Sequence, residues 1–314
     1  MRQSSPTTRS NRTAKIVATA AIFNAGIICL VFYMTTNQSS PSVLFKQKAE
    51  EISPENPISL LFFNRVPKTG SELFALLLQW LQEPNNFLQL RLSGNEKRKL
   101  DSMERKEMTI NLADDMKVKG GEKFVADRHV YFFDVKEDMT RRFPSAEVKY
   151  FSTIRDPVEK AASRFYYSRA TSRNQTRLHD TSFEACVAQG MPECRFLDGE
   201  SYDLTIPYFC GHHDDCLKLN NQWAFQQAKE NVEKHFTVVG VLEELNVTLA
   251  TLENNLPEFF HGVQKLYFDD LMKVKWNYNK ERPRGVESAV ADRLRQNLTL
   301  EYAFYNFVKQ RLLS

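Results

Sequence analysis

Three groups of residues in this 314-residue chain have the types and spacing to do chemistry. The first is Pro67-Lys68-Thr69-Gly70-Ser71. It separates an apolar run, Leu60-Leu61-Phe62-Phe63, from a stretch in which Leu73, Leu76, Leu77, Trp80 and Leu81 recur at helical spacing. Strand, tight loop and helix together bind phosphate: the loop amides and the helix N-terminus point at the anion, and a lysine adds a full charge. The loop departs from the common ATP-binding pattern, because Pro67 precedes Lys68 and its one glycine, Gly70, follows it. The second group is Arg155-Asp156-Pro157, which ends a strand-like run from Val148 to Ile154. Asp156 suits a helix N-cap and Pro157 the first helical position, whereas Arg155 puts a guanidinium at the strand end. The third is Asp127-Arg128-His129, in a strand-like run from Lys123 to Val130. A histidine of near-neutral pKa can take a proton from a hydroxyl, and an equally ordinary histidine beside a strand is structural.

The letters around these groups narrow the chemistry. FNRVPKTGS at 63–71 resembles the 5′-phosphosulfate loop of sulfotransferases that use PAPS (3′-phosphoadenylyl sulfate), specifically the uronosyl 2-O-sulfotransferase family with its heparan, dermatan/chondroitin and Pipe-like branches. IRDPVEKAASRFYY at 154–167 is similar to that family's second cofactor segment. The resemblance extends from about Ile58 to the end of the chain, through segments such as NQWAFQQAKENV and VVGVLEEL.

The resemblance implies a sulfuryl transfer from PAPS to the 2-hydroxyl of a uronic acid, with these roles. Lys68 meets the charge on the leaving phosphate. Thr69, Gly70, Ser71 and the backbone of Glu72 hold the 5′-phosphosulfate, and Glu72 replaces a small hydroxyl residue frequent in the family. Arg155 and Ser163 hold the 3′-phosphate, while Tyr267, Asn277 and Lys280 close over the cofactor. His129 is the general base. Arg65 faces the acidic sugar of the acceptor, with Lys275 in the basic loop 273–284. The heparan enzyme reads His-x-His where this chain has Asp127-Arg128-His129. Asp127 is therefore expected beside the acceptor, orienting His129 and raising its pKa. A sulfuryl group bears less charge than a phosphoryl group, so no metal is expected.

Two other readings stand beside this one. In a P-loop kinase, Val130-Tyr131-Phe132-Phe133-Asp134 would be the magnesium strand, but the loop glycines are missing. In a catalytically weak glycan-binding relative, Asp127 and Glu72 would be the marks of lost turnover.

These residues need elements to position them. Strand-like runs at 60–63, 87–92, 123–130, 148–154 and 236–241 alternate with helical stretches at 71–81, 156–169, 217–235, 243–256, 286–296 and 300–312. That alternation predicts an α/β body with a mostly parallel central sheet flanked by helices, as in a P-loop-like sulfotransferase fold. Asn95 to Glu107 reads as a charged, solvated helix or loop. Its Lys97, Arg98, Lys99, Arg105 and Lys106 could line a glycan cleft.

The ends and totals suggest where the protein works. Residues 1–15 are polar and basic, and residues 16–34 are apolar except for Thr19 and Asn24. Nineteen residues span roughly 28 Å as a helix, about one bilayer core. The reading is a single-pass type II signal anchor in the Golgi membrane. It comprises a cytosolic tail (1–15), a transmembrane helix (16–34), a short stem (35–57) and a lumenal catalytic body (58–314). The 42 basic and 39 acidic residues leave +3, which the tail more than accounts for, so nothing favours nucleic acid as a partner. Four cysteines fall in close pairs, Cys186/Cys194 and Cys210/Cys216, and an oxidising lumen makes local disulfides the default. The family resemblance implies the same pairing, because both spacings match. The segment CGHHDDC fits no common zinc spacing. Glycosylation sequons on the expected lumenal side lie at Asn37, Asn174, Asn246 and Asn297, and a further one at Asn11 falls in the cytosolic tail. The expected partner is a glycosaminoglycan or glycoprotein glycan. The heparan enzyme continues beyond the point matching Ser314 and is a trimer, so a homo-oligomer here is expected to assemble differently.

Overall fold

The computed structural model describes residues 57–94, 97–171, 181–194, 204–271 and 285–314. The expected membrane span and stem, the sequons at Asn37 and Asn174, and Lys275, Asn277 and Lys280 lie outside these residues. Among the described residues no helix is long and apolar enough to cross a membrane.

The apolar run forms strand β1 (Ser59–Asn64), followed by helix α1 (Ser71–Asn85). Then come β2 (Leu88–Arg91), α2 (Ser102–Lys119), β3 (Lys123–Arg128), α3 (Lys136–Arg142), β4 (Glu147–Ile154) and α4 (Pro157–Thr171). After α5 (Phe183–Gln189) and α6 (Gln222–His235), β5 (Phe236–Val241) completes a parallel sheet in the order β2-β3-β1-β4-β5. Helices α7 (Leu245–Asn255), α8 (Ser288–Asn297) and α9 (Thr299–Leu313) follow. The expected α/β architecture is present.

Alternation along β1 divides the core. Leu60 and Phe62 face a cluster with Leu112 of α2, Val232 of α6 and Phe304 of α9. Leu61 and Phe63 face Phe74, Leu77, Leu78 and Leu81 of α1 and Leu249 and Leu252 of α7. A strand covered on both faces must be apolar at every position, which is why this run does not alternate with polar residues.

Several expectations change. Trp80 is 43% exposed, and α1 packs through Phe74, Leu77, Leu78 and Leu81, a stripe turned by one residue from the expected one. The charged stretch after Asn95 leads into an 18-residue helix, α2, opened by a capping box between Asp101 and Glu104. Only Met108, Thr109, Leu112, Ala113 and Met116 of that helix are buried, so its charged majority masks the pattern. Residues 130–134 form no strand, and Asp134 accepts hydrogen bonds from Lys136 N–H (2.9 Å) and the Tyr150 hydroxyl (3.1 Å). The kinase reading thus loses its metal strand. Both disulfides, Cys186–Cys194 and Cys210–Cys216, are formed. His212 and His213 between the latter pair bind backbone: Leu100 N–H donates to His212 Nδ1 (2.9 Å) and Asp215 N–H to His213 Nδ1 (3.2 Å).

The exit of β5 is fixed by Thr248 of α7. Its buried hydroxyl accepts from Val241 N–H and donates to Val241 C=O, each at 3.0 Å. Its methyl lies so close to Gly240 that a Cβ there would fall 2.3 Å from it. Replacing Thr248 by Val keeps the shape and strands both backbone groups. Chemical denaturation should show a loss of about 1–3 kcal/mol.

Candidate active site

Because all five strands run parallel, their carboxyl ends share one edge. The chain after β1 crosses towards β2, and the chain after β3 crosses over β1 to β4, so the direction of winding reverses between β1 and β4. Ligands of open α/β sheets bind at such a reversal, outside the strand ends. Lys68 follows β1 and Arg155 follows β4. They meet there: Arg155 Nη1 donates to the Lys68 carbonyl at 3.5 Å.

The loop is built tightly. Lys68 takes a left-handed backbone (φ 64°), uncommon for a residue with a side chain and often found at functional sites. Its Nζ lies 3.6 Å from the centre of the Tyr167 ring. Thr69 is fully buried, and its hydroxyl bonds to the Val66 carbonyl (2.8 Å) and the Thr153 hydroxyl (2.9 Å), which locks the loop to β4. Gly70 is also left-handed (φ 79°), and an added Cβ would fall 2.7 Å from Leu242 Cδ1. Ser71 and Glu72 open α1, whose first amides lack partners within the helix.

Arg155 is flanked by two carboxylates, Glu159 (3.2 Å) and Glu243 (3.7 Å). Glu243 accepts from Asp156 N–H at 3.2 Å, and burial raises its pKa. Asp156 caps α4 through Glu159 N–H (3.0 Å), as expected. Ser163 is buried in α4. Tyr267 is half-buried against the α1-side cluster, and burial raises its pKa.

His129 lies just beyond β3 and is half-buried. Its Nδ1 is 3.0 Å from the Arg65 carbonyl. A carbonyl only accepts, so Nδ1 carries the hydrogen and Nε2 the lone pair. Burial first, then the nearby Arg65 charge, lower its pKa to about 4. It is therefore neutral, with a basic Nε2, through the mildly acidic range.

Two of the expected residues have surroundings that the sequence does not reveal. The Asp127 carboxylate is bound to the Arg65 side chain, and the pKa of His129 is lowered, not raised. The strand sends alternate side chains to opposite faces, but His129 has already left the strand, and the Asp127 carboxylate, fully buried, binds Arg65 Nη1 (2.8 Å) and Gln89 Nε2 (3.0 Å). Arg65, expected to face the acceptor, is 1% exposed and also binds Glu72. Glu72 departs from the expectation that its side chain has no task.

Beyond β2, a cavity of about 610 Å³ opens against α2. It is lined in part by Arg91, Ser93, Gly94, Lys97, Asn111 and Arg128, the last being the neighbour of His129. Of the expected cleft lysines, Lys97 lines it but pairs with Glu104, and Lys99 pairs with Asp214. Asn246 and Asn297 are exposed at a helix start and a helix end. Glu243, Tyr167, Gln89 and Arg91 were not singled out from the sequence. Each acts through a tertiary contact that local spacing does not encode.

The sulfotransferase family matches residues 55–308. The chain belongs to the sulfotransferase family. It is 31% identical over 268 residues to the uronyl 2-sulfotransferase of Homo sapiens, covering 81% of this chain and 62% of that protein. It is 31% identical over 215 residues to heparan sulfate 2-O-sulfotransferase 1 of Xenopus laevis, covering 66% of this chain and 58% of that protein. It is 30% identical over 281 residues to the uronyl 2-sulfotransferase homolog pip of Drosophila melanogaster, covering 81% of this chain and 52% of that protein. The chain thus spans between about half and three-fifths of the length of these relatives.

Two predictions test the site of this sulfotransferase-family chain. Gly70→Ala combines an unfavourable φ with a clash at Leu242. It should cost on the order of 1–3 kcal/mol of stability by denaturant titration, and Leu242→Ala should recover part of that loss. His212 is the second histidine whose pKa is lowered to about 4, by burial first and then by Arg105. For both histidines the unfolded chain binds more protons between pH 6.5 and 4. Their contribution is therefore intact above 6.5 and lost as the pH falls towards 4, by ~3 kcal/mol each. His212→Asn keeps an acceptor for Leu100 N–H and should flatten that part of a pH–stability curve.

Proposed function

We propose that this chain transfers sulfate from PAPS to the 2-hydroxyl of a uronic acid in a glycosaminoglycan or related glycan. In this reading the body lies in the Golgi lumen, anchored by residues 16–34. The observation that carries it is the meeting of Lys68 and Arg155 at the β1/β4 reversal, with His129 held against the exit of β1 on its other side. Two cationic residues whose chain segments touch suit the two ends of one bisphosphorylated adenosine.

The residues present fit such a donor. A left-handed glycine opens a 15-residue helix beside a lysine, and a strand-end arginine precedes a second helix. Lys68, Thr69, Gly70, Ser71 and the Glu72 amide would hold the 5′ end, Arg155 and Ser163 the 3′-phosphate. Glu159 and Glu243 pre-orient Arg155 and would have to share it with the phosphate. Tyr267, with Asn277 and Lys280, would cover the nucleotide. When bound, the donor supplies an electrophilic sulfur with a phosphate leaving group. His129 Nε2 would then take the proton of the attacking hydroxyl as its oxygen bonds to sulfur. The phosphate would leave as its bond to sulfur breaks, and Lys68 would meet the charge on that oxygen. Arg65 and Asp127 are interior, so Lys275 and the cleft beyond β2 are left to meet the acceptor.

A second reading, glycan binding with little turnover, draws on Glu72 and Asp127, the two acids beside the loop and the base. The same assay separates the two. Wild-type protein should move labelled sulfate from PAPS onto a desulfated heparan, dermatan or chondroitin chain. Lys68→Ala should lower the rate by about 10²–10³-fold, and His129→Ala should fall comparably. Transfer by His129→Ala at the wild-type rate would remove His129 from the mechanism. Calorimetry showing binding of magnesium ATP and none of 3′,5′-adenosine bisphosphate would reverse the assignment.

A further inference from the structure

We infer that Arg65 and Asp127 are a positioning pair: with Glu72 and Arg91 they lock the exit of β1 and the end of β3 to the first turn of α1, holding the imidazole of His129 in place, and they do not contact the acceptor. The inference rests on the reading of His129 as the base.

Arg65 is tied down at every polar group but one. Its N–H donates to the Arg128 carbonyl at 3.0 Å, and its carbonyl receives His129 Nδ1–H at 3.0 Å. Its side chain, 1% exposed, runs between Asp127 and Glu72. Asp127, fully buried, takes Arg65 on one oxygen at 2.8 Å and Gln89 on the other at 3.0 Å, and Arg91 Nε stands 3.4 Å away. Arg91 also reaches Glu72 at 3.7 Å. Two guanidinium groups and two carboxylates thus alternate, and their charges cancel.

A fully buried ion pair is an expensive way to fill a core, because its desolvation offsets most of the attraction and apolar residues of similar volume serve stability as well. What apolar residues would not supply is direction. The ion chain joins four places: the exit of β1, the ends of β2 and β3, and the helix turn on which a donor anion would rest. The carbonyl oxygen that receives the imidazole N–H belongs to the residue at its centre. Any rotation of the Arg65 peptide would turn the ring of His129 with it. The charged groups that influence the imidazole come from three directions, Arg65 from β1, Glu72 from α1 and Arg98 from the segment after β2.

The test combines two readouts on the purified chain: nitrogen-15 NMR of the histidine rings, and sulfate transfer with PAPS. Wild-type protein should show His129 protonated on Nδ1. Asp127→Asn should lose that single tautomer and slow kcat by about 10- to 100-fold, with unchanged affinity for 3′,5′-adenosine bisphosphate. Because a broken buried pair can unfold the protein, the double variant Arg65→Met/Asp127→Leu serves as a control. It should recover the thermal midpoint without recovering the tautomer or kcat. A double variant with wild-type kcat and ring state would reduce the pair to a stability element and overturn the inference. So would an Asp127→Asn protein whose only change is a higher acceptor KM. A wild-type chain that neither binds the bisphosphate nor transfers sulfate would sink the functional reading instead, and the NMR comparison would still decide whether the pair holds the ring.

Discussion

Everything at this site depends on the parallel register of β1 between β3 and β4. Pairing Asn64 with Arg128 puts Arg65 beside His129, and pairing Phe63 with Phe151 brings the turn after β1 to Arg155. A slip of one residue would turn the apolar run over and bury its backbone against the wrong cluster, so packing on both faces protects the register. The core thereby decides which side chains meet at the edge, although none of its residues is polar enough to do chemistry itself.

The edge is ordered by charge. Arg155 stands between Glu159 and Glu243, Arg65 between Asp127 and Glu72, and Lys68 lies over the face of an aromatic ring. Each cation is already partnered in the chain. An incoming dianion would meet groups of fixed geometry and would gain from them only what it offers beyond the carboxylates it displaces or joins. Such an arrangement would favour strongly charged anions, since a weak anion would gain little over what is already there.

The sequence carried the frame better than the site. The run Leu60–Phe63, the Asp156-Pro157 start and the short cysteine spacings each act over a few residues, so strands, caps and disulfides could be read from neighbours. The helix Ser102–Lys119 was obscured because charged residues fill most of its surface. The surroundings of Arg65 and Asp127 are illegible in the sequence for a different reason. Their partners lie 62 residues apart in the chain, and an arginine beside a phosphate loop looks the same whether it faces solvent or a buried carboxylate.

The contact between Gly70 and Leu242 has a consequence for how such loops vary. The space a side chain would need at 70 is already filled from the far end of the sheet, 172 positions later. The two sites share one small volume. A descendant that gained a methyl at the first would have to surrender bulk at the second, so the two should change together through time as a single inherited unit.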